Sequence, residues 1–196
     1  GVNRENGMLG YCGVTAEVTI ARAALHMWEE PCISGRNGSG TVFFSGCPMK
    51  CVFCQNTQIA IGTAGIKISI ERLAEIFLEL QKKGAHNINL VTPTHYVPQI
   101  VEALRLAKHN GLNIPIVYNT GSYEKVETLR LLEGLVDVWL PDCKYFDKEL
   151  AARYSNAADY FEVANTAITE MVRQAGDPVF KDGLMKRGVI VRHMIL

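Results

Sequence analysis

No apolar run in this chain approaches the ~20 residues that a membrane-spanning helix requires, which argues against a helical membrane protein. Neither charge is in excess. Lys and Arg together number 20 against 20 for Asp and Glu, so there is no electrostatic case for nucleic acid or an anionic membrane as partner. Low-complexity tracts and linker-like stretches are also missing, and Pro and Gly are scattered as turn punctuation. Nothing reads as a secretion signal, and 196 residues are too many to need disulfide staples. Six cysteines in such a chain point to a reducing compartment, and a cytoplasmic location is expected. What is present is ordinary globular material, 48% hydrophobic and 20% charged, enough for one sizeable core.

The cysteines are the informative part. Cys47, Cys51 and Cys54 stand at the spacing C-x3-C-x2-C, directly after the hydrophobic run Thr41, Val42, Phe43, Phe44. Three thiolates on one short loop can hold three corners of a four-iron cluster, which leaves the fourth iron without a protein ligand. Electron carriers of the ferredoxin type close all four corners with Cys. An open metal position marks a site that binds something and does chemistry there, by the logic of catalytic zinc. Half of a zinc site is the competing reading, with Cys143 or His95 as fourth ligand, although zinc sites usually pair C-x2-C with a second couple further on. Cys12, Cys32 and Cys143 are scattered. Cys32 and Cys143 read as small buried hydrophobes.

Beyond the cysteines the pattern alternates between strand and helix. Ser69 can cap a helix over 70–83 with Leu73, Ile76, Phe77 and Leu80 on one face, ended by Gly84. Further helices are expected over 97–109, 123–132, 148–154 and 160–174. Short apolar runs predict buried strands over 41–44, 88–91, 114–118, 136–140 and 189–195. Alternating βα units imply parallel strands with right-handed crossovers. Polar residues gather where these strands end: the Cys loop, then Thr92, Thr94 and His95, then Asn119, then Asp142 with Lys144. That edge binds ligands in parallel α/β folds.

Each of these has a plainer reading. His95 can be an ordinary loop histidine, Asp142 an Asx turn after Pro141, and Lys144 a solvated lysine. Arg192, set between apolar residues on a strand, needs an anionic partner, which a structural salt bridge would also supply. Trp28 and Trp139 read as packing residues. His26, His86 and His109 have no constellation around them.

With the loop and the strand ends placed, the chain resembles the radical S-adenosylmethionine (SAM) superfamily. The resemblance rests on the C-x3-C-x2-C spacing with Phe53 before its last Cys. The segments around Trp28-Glu29-Glu30-Pro31, Thr92-Pro93-Thr94-His95 and Leu140-Pro141-Asp142-Cys143-Lys144 resemble uncharacterised iron–sulfur members related to the pyruvate formate-lyase activating enzyme. The resemblance implies a partial (β/α)6 barrel over 39–196, truncated after strand five, behind an N-terminal segment over 1–38. That segment looks like the remnant of a Cys-rich region in which Cys12 has lost its companions for a second metal site. It implies that Cys47, Cys51 and Cys54 ligate a [4Fe-4S] cluster and that Phe53 lies against the SAM adenine. Pro93, Thr94 and His95 then stand where relatives carry a Gly-Gly-Glu segment for the SAM amine, so backbone carbonyls and the hydroxyls of Thr92 and Thr94 must take more of that amine. Asn119, Asp142, Lys144 and Arg192 fall where relatives contact SAM or substrate. The implied reaction is reductive cleavage of SAM to a 5′-deoxyadenosyl radical that abstracts a hydrogen atom. For close relatives the target is a glycine Cα in a glycyl-radical enzyme, with flavodoxin or ferredoxin as electron donor. A small-molecule or peptide substrate, or a non-catalytic iron–sulfur or zinc protein, remain as alternatives.

Overall fold

The alternating pattern builds a mixed α/β architecture on one eight-stranded sheet, in a computed structural model that describes residues 3–193. In chain order the elements are β1 Thr19–His26, α1 Pro31–Ser34, β2 Ser39–Phe44, α2 Thr57–Ala60, β3 Ile66–Lys67, α3 Ile70–Lys82, β4 Ile88–Val91, α4 Val97–His109, β5 Ile116–Thr120, α5 Val126–Arg130, β6 Val138–Pro141, α6 Lys148–Ser155, α7 Tyr160–Ala175, β7 Val179–Lys181 and β8 Leu184–Val189. The strand order is β3-β1-β2-β4-β5-β6-β8-β7. Strands β2, β4, β5, β6 and β8 run parallel, as the alternation predicts.

The edges correct the expectation of a wholly parallel sheet. β1 pairs antiparallel with both β2 and β3, and β7 with β8. The physical reason is clearest at β7–β8. Only Asp182 and Gly183 join these strands, both at positive φ (54° and 76°), the geometry of a two-residue hairpin turn. A parallel pair would need a crossover of a dozen residues or more. β1 lies within 1–38, yet it is hydrogen-bonded into the same sheet as the rest.

α3 begins where Ser69 Oγ accepts the Arg72 N–H at 3.1 Å. It buries Leu73, Ala74, Ile76, Phe77 and Leu80, and α4 buries Val97, Ile100, Ala103, Leu104 and Ala107. Both faces meet Val42, Phe44, Ile88, Leu90, Tyr118 and Trp139 in the main core. Each such large apolar side chain contributes about 1.5–3 kcal/mol on burial. The alternate strand residues Val117, Val138 and Leu140 pack instead on Ile33 of α1 and on Met185.

Several boundaries differ from expectation. The helix expected over 123–132 shortens to α5. Two strands start later than expected, at Ile116 and Val138; the Asp137 carboxylate accepts the Ile116 N–H at 2.8 Å and fixes that start. The last strand was expected over 189–195, but β8 ends at Val189. The ladder continues less regularly: Ile190 N–H bonds Trp139 O and Arg192 N–H bonds Pro141 O, each at 2.9 Å, so Asp142 and Arg192 pair in parallel. Positions 194 and 195 of that expected strand lie outside the described residues.

Candidate functional site

Two residues beyond β2, Gly46 sits at φ +90°, a conformation glycine adopts without cost. A Cβ there would lie 2.8 Å from Cys12 O, so the chain can leave the strand only with glycine in place. The cysteine loop is then anchored by its own Met49. This residue is 2% exposed in a second small core with Tyr145, Ala151, Ala157, Tyr160 and Ala164; Cys47, Cys51 and Phe53 pack against its edge. Met49 N–H faces Cys47 Sγ at 3.4 Å. Ser155 Oγ–H donates to Cys51 Sγ at 2.8 Å and lies 2.7 Å from the Tyr145 hydroxyl.

A cleft of about 800 Å³ opens at the carboxyl ends of the parallel strands. Cys47, Cys51, Cys54 and Phe53 line it from the loop, Thr92 and Thr94 from beyond β4, Asn119 from β5, Asp142 and Lys144 from beyond β6, and Arg192 from beyond β8. The sequence-derived site residues therefore share one space, with one exception. Thr92 reaches it at φ +55°, uncommon for a β-branched residue. Phe53 stands edge-on to Tyr145 and Tyr154, with centroids 6.3 and 6.5 Å away.

His95 is the exception and a correction. The 3-10 turn Thr94–Tyr96 turns it away from the cleft and buries it. Its Nε2 lies 2.7 Å from Ser45 O; a carbonyl only accepts, so Nε2 carries the proton. Burial, its largest influence, holds the ring at about 4, and it stays neutral at ordinary pH. It serves the wall behind the cysteine loop.

Asn119, Asp142, Lys144 and Arg192 form one network. Arg192 Nε donates to Asp142 Oδ1 at 2.8 Å and its Nη2 to Asn119 Oδ1 at 2.6 Å. Lys144 Nζ donates to Asp142 Oδ2 at 2.5 Å. Arg192 Nη1 also lies 3.5 Å from Glu29 and 3.7 Å from Glu30. The Asp142 carboxylate is thus held by two cations, and Lys144 is largely buried rather than solvated. Arg192 has the anionic partner its setting demanded.

Sequence reasoning missed several cleft residues. Trp28, read as packing, is 88% exposed at the rim, and Arg22, His26 and Glu29 also line the cleft. Burial raises the Glu29 carboxyl, with Arg192 opposing. Glu124, fully buried behind the cleft wall, was missed as well; one glutamate at a helix entrance carries no sequence signal. Trp139 is fully buried, as expected. Cys12 is buried in the main core.

The donor set fits an iron–sulfur cluster. Burial holds the Cys47 thiol above its usual range, backbone N–H groups of Lys50 and Met49 oppose it, and Cys51 and Cys54 add to it. The three sulfurs therefore lie near enough to feel one another, and a bound metal would take up the charge they otherwise resist. Neither Cys143 nor His95 lines the cleft with them. Among the described residues, no three His, Cys, Asp or Glu side chains gather closely enough to hold a single ion. Three thiols facing an open space suit a cluster with a free position better than a closed zinc site.

Comparison with known proteins agrees with this geometry. The family model described as the radical SAM superfamily matches residues 41–185, from β2 into β8. An uncharacterised protein of Methanocaldococcus jannaschii is 31% identical over 204 aligned positions, covering all of this chain and 54% of that protein. The chain therefore spans about half the length of this curated relative. No helix among the described residues is long and apolar enough to cross a membrane.

Proposed function

The chain belongs to the radical SAM superfamily, and on that premise we propose that it is a SAM-cleaving enzyme which abstracts a hydrogen atom from a glycyl-radical enzyme, as an activase. The observation that carries this reading is the convergence of the three cysteines and the strand-end polar residues on one cleft. Cys47, Cys51 and Cys54 would hold a [4Fe-4S] cluster beside the space that admits SAM. When bound, the cluster supplies the electron that splits SAM into methionine and a 5′-deoxyadenosyl radical. Phe53 flanks the adenine. Thr92, Thr94 and Asn119 orient the amino acid part of SAM, and Asp142, Lys144 and Arg192 form the charged floor on which SAM and substrate are aligned. The sheet is part of a (β/α)6 partial barrel whose mouth excludes water from the reacting carbon. The partners in this reading are the glycyl-radical protein and a flavodoxin or ferredoxin as electron donor.

A second reading, hydrogen abstraction from a small molecule or peptide, is favoured by the cleft volume of about 800 Å³, which lies within the range of small-molecule sites.

The test is anaerobic reconstitution of the full-length protein with iron and sulfide, reduction, and electron paramagnetic resonance with and without SAM. A four-iron signal that changes with SAM, with 5′-deoxyadenosine formed and lost in Cys47→Ala, is the expected result. A cluster indifferent to SAM, or zinc in its place, sinks the proposal. Glycyl-radical formation on an added partner separates the activase from the second reading.

A further inference from the structure

The cleft wall at the ends of β4 and β5 conceals a carboxylate. Glu124, in the loop before α5, is 3% exposed. Its Oε1 accepts hydrogen bonds from Thr120 Oγ1 at 2.6 Å, Thr94 Oγ1 at 2.7 Å and the Tyr118 hydroxyl at 3.2 Å. Its Oε2 is equally buried and has no hydrogen-bond partner among the described residues. Burial pushes the carboxyl up to about 6, and only the three hydroxyls oppose it. Tyr118 is the titratable group in contact with it, and Glu124 pushes that phenol still higher, so it stays neutral. Lys144 and Arg192, the two cations that line the cleft beyond β6 and β8, are committed to Asp142. Above about pH 6 a negative charge therefore sits in the interior without a counter-charge, a costly arrangement unless something compensates it.

Two of its three partners are also surface of the cleft, since Thr94 and Thr120 line it. A hydroxyl has a single proton. With that proton given to Glu124, each threonine turns only lone pairs outward. Thr120 Oγ1 additionally accepts the Ser122 N–H at 3.2 Å and has one lone pair left. This stretch of wall can accept hydrogen bonds, has no hydroxyl proton to give, and is backed by negative charge. It suits an ammonium and repels a carboxylate or phosphate.

We propose that Glu124 is a positioning residue which, acting through the hydroxyls of Thr94 and Thr120, makes this wall the seat of an ammonium group on the bound ligand. The inference rests on the reading of the cleft as a SAM site. SAM carries two cationic centres, and its α-ammonium is the one with N–H donors to give. Glu124 acts at one hydroxyl's remove and does not touch the ligand.

The experiment is calorimetric titration of SAM into the reconstituted full-length protein at pH 6, in buffers of different ionisation enthalpy, with wild type and Glu124→Gln. Gln keeps an acceptor for the hydroxyls and removes the charge. A cation seated at the wall lowers the Glu124 pKa, so wild type releases a proton on binding and the variant releases less. SAM affinity falls about tenfold in the variant, the effect of losing one charge-assisted interaction. S-adenosylhomocysteine, which keeps the ammonium and lacks the sulfonium charge, gives the same proton release. Thr94→Val serves as second variant should Glu124→Gln not fold, and it too binds SAM more weakly. Proton release and affinity unchanged in either variant, with SAM still bound, overturns this inference and leaves the enzyme reading standing. A wild-type protein that binds no SAM overturns both.

Discussion

A neutral, buried histidine makes a protein sensitive to acid. His95 titrates near 4 in the fold and at 6.5 when exposed, so between those values the unfolded chain binds the extra proton. Stability should fall as pH drops from about 6.5 to about 4, by about 3 kcal/mol, and level off below. Glu124 acts in the opposite sense. Its carboxyl is raised from 4.5 to about 6, so the stability it contributes below 4.5 is lost as pH rises through 6, to the extent of about 2 kcal/mol. The two slopes partly cancel where they overlap. Urea unfolding of wild type and His95→Asn across this range separates them, and an acid-side slope that survives in the variant would count against the assignment. Ser155→Ala removes a hydrogen bond to Cys51 Sγ. The reconstituted cluster should then titrate at a more negative potential, followed by electron paramagnetic resonance; an unchanged potential refutes the contact. Most of the cleft residues were legible in the sequence because they gather at the carboxyl ends of the strands and in the loops that leave them. His95 was not. It neighbours Thr94 in the chain, and a 3-10 turn sends successive side chains about a third of a turn apart.

Two glycine-related positions set the elements around the site. Thr92 occupies φ +55° at the end of β4, a conformation that costs a non-glycine residue on the order of 1–3 kcal/mol. Thr92→Gly should raise the unfolding free energy by about 1 kcal/mol net of the added chain freedom, read as a higher urea midpoint; a lower midpoint would show that the Thr side chain is itself needed. Gly46→Ala has the opposite sign. Its Cβ would meet Cys12 O at 2.8 Å, so stability should fall by about 2 kcal/mol and less iron should be retained on reconstitution. Helices α3 and α4 were legible because their apolar residues recur at helical spacing and Ser69 supplies a cap. β1 was not, because the Ala-rich run over 19–26 shows neither strict alternation nor a continuous apolar stretch. The β7–β8 hairpin carried a readable Asp182-Gly183 turn that the βα rhythm of the chain obscured.

On the scale of the whole molecule, the parallel centre followed from the sequence, and the way its two faces are filled did not. One face takes α3 and α4; the other takes α1, whose Ile33 is fully buried against Val117, Val138 and Leu140. Periodicity says that a strand is buried on both sides and is silent about what covers each. Ile33→Ala should cost about 2–4 kcal/mol, read by chemical denaturation, and a loss well below this would refute the role of α1 as the plug of this face. The cysteine loop, for its part, rests on residues that come far later in the chain: Met49 meets Tyr145 and Tyr160, and Cys51 meets Ser155, 104 positions on. On the ribosome the three cysteines therefore emerge long before the floor that holds them. Until α6 and α7 have been synthesised the thiols hang on an unsupported loop, so metal loading has to wait for those helices, and the cysteines must be kept from oxidation while the 104 positions between Cys51 and Ser155 are translated.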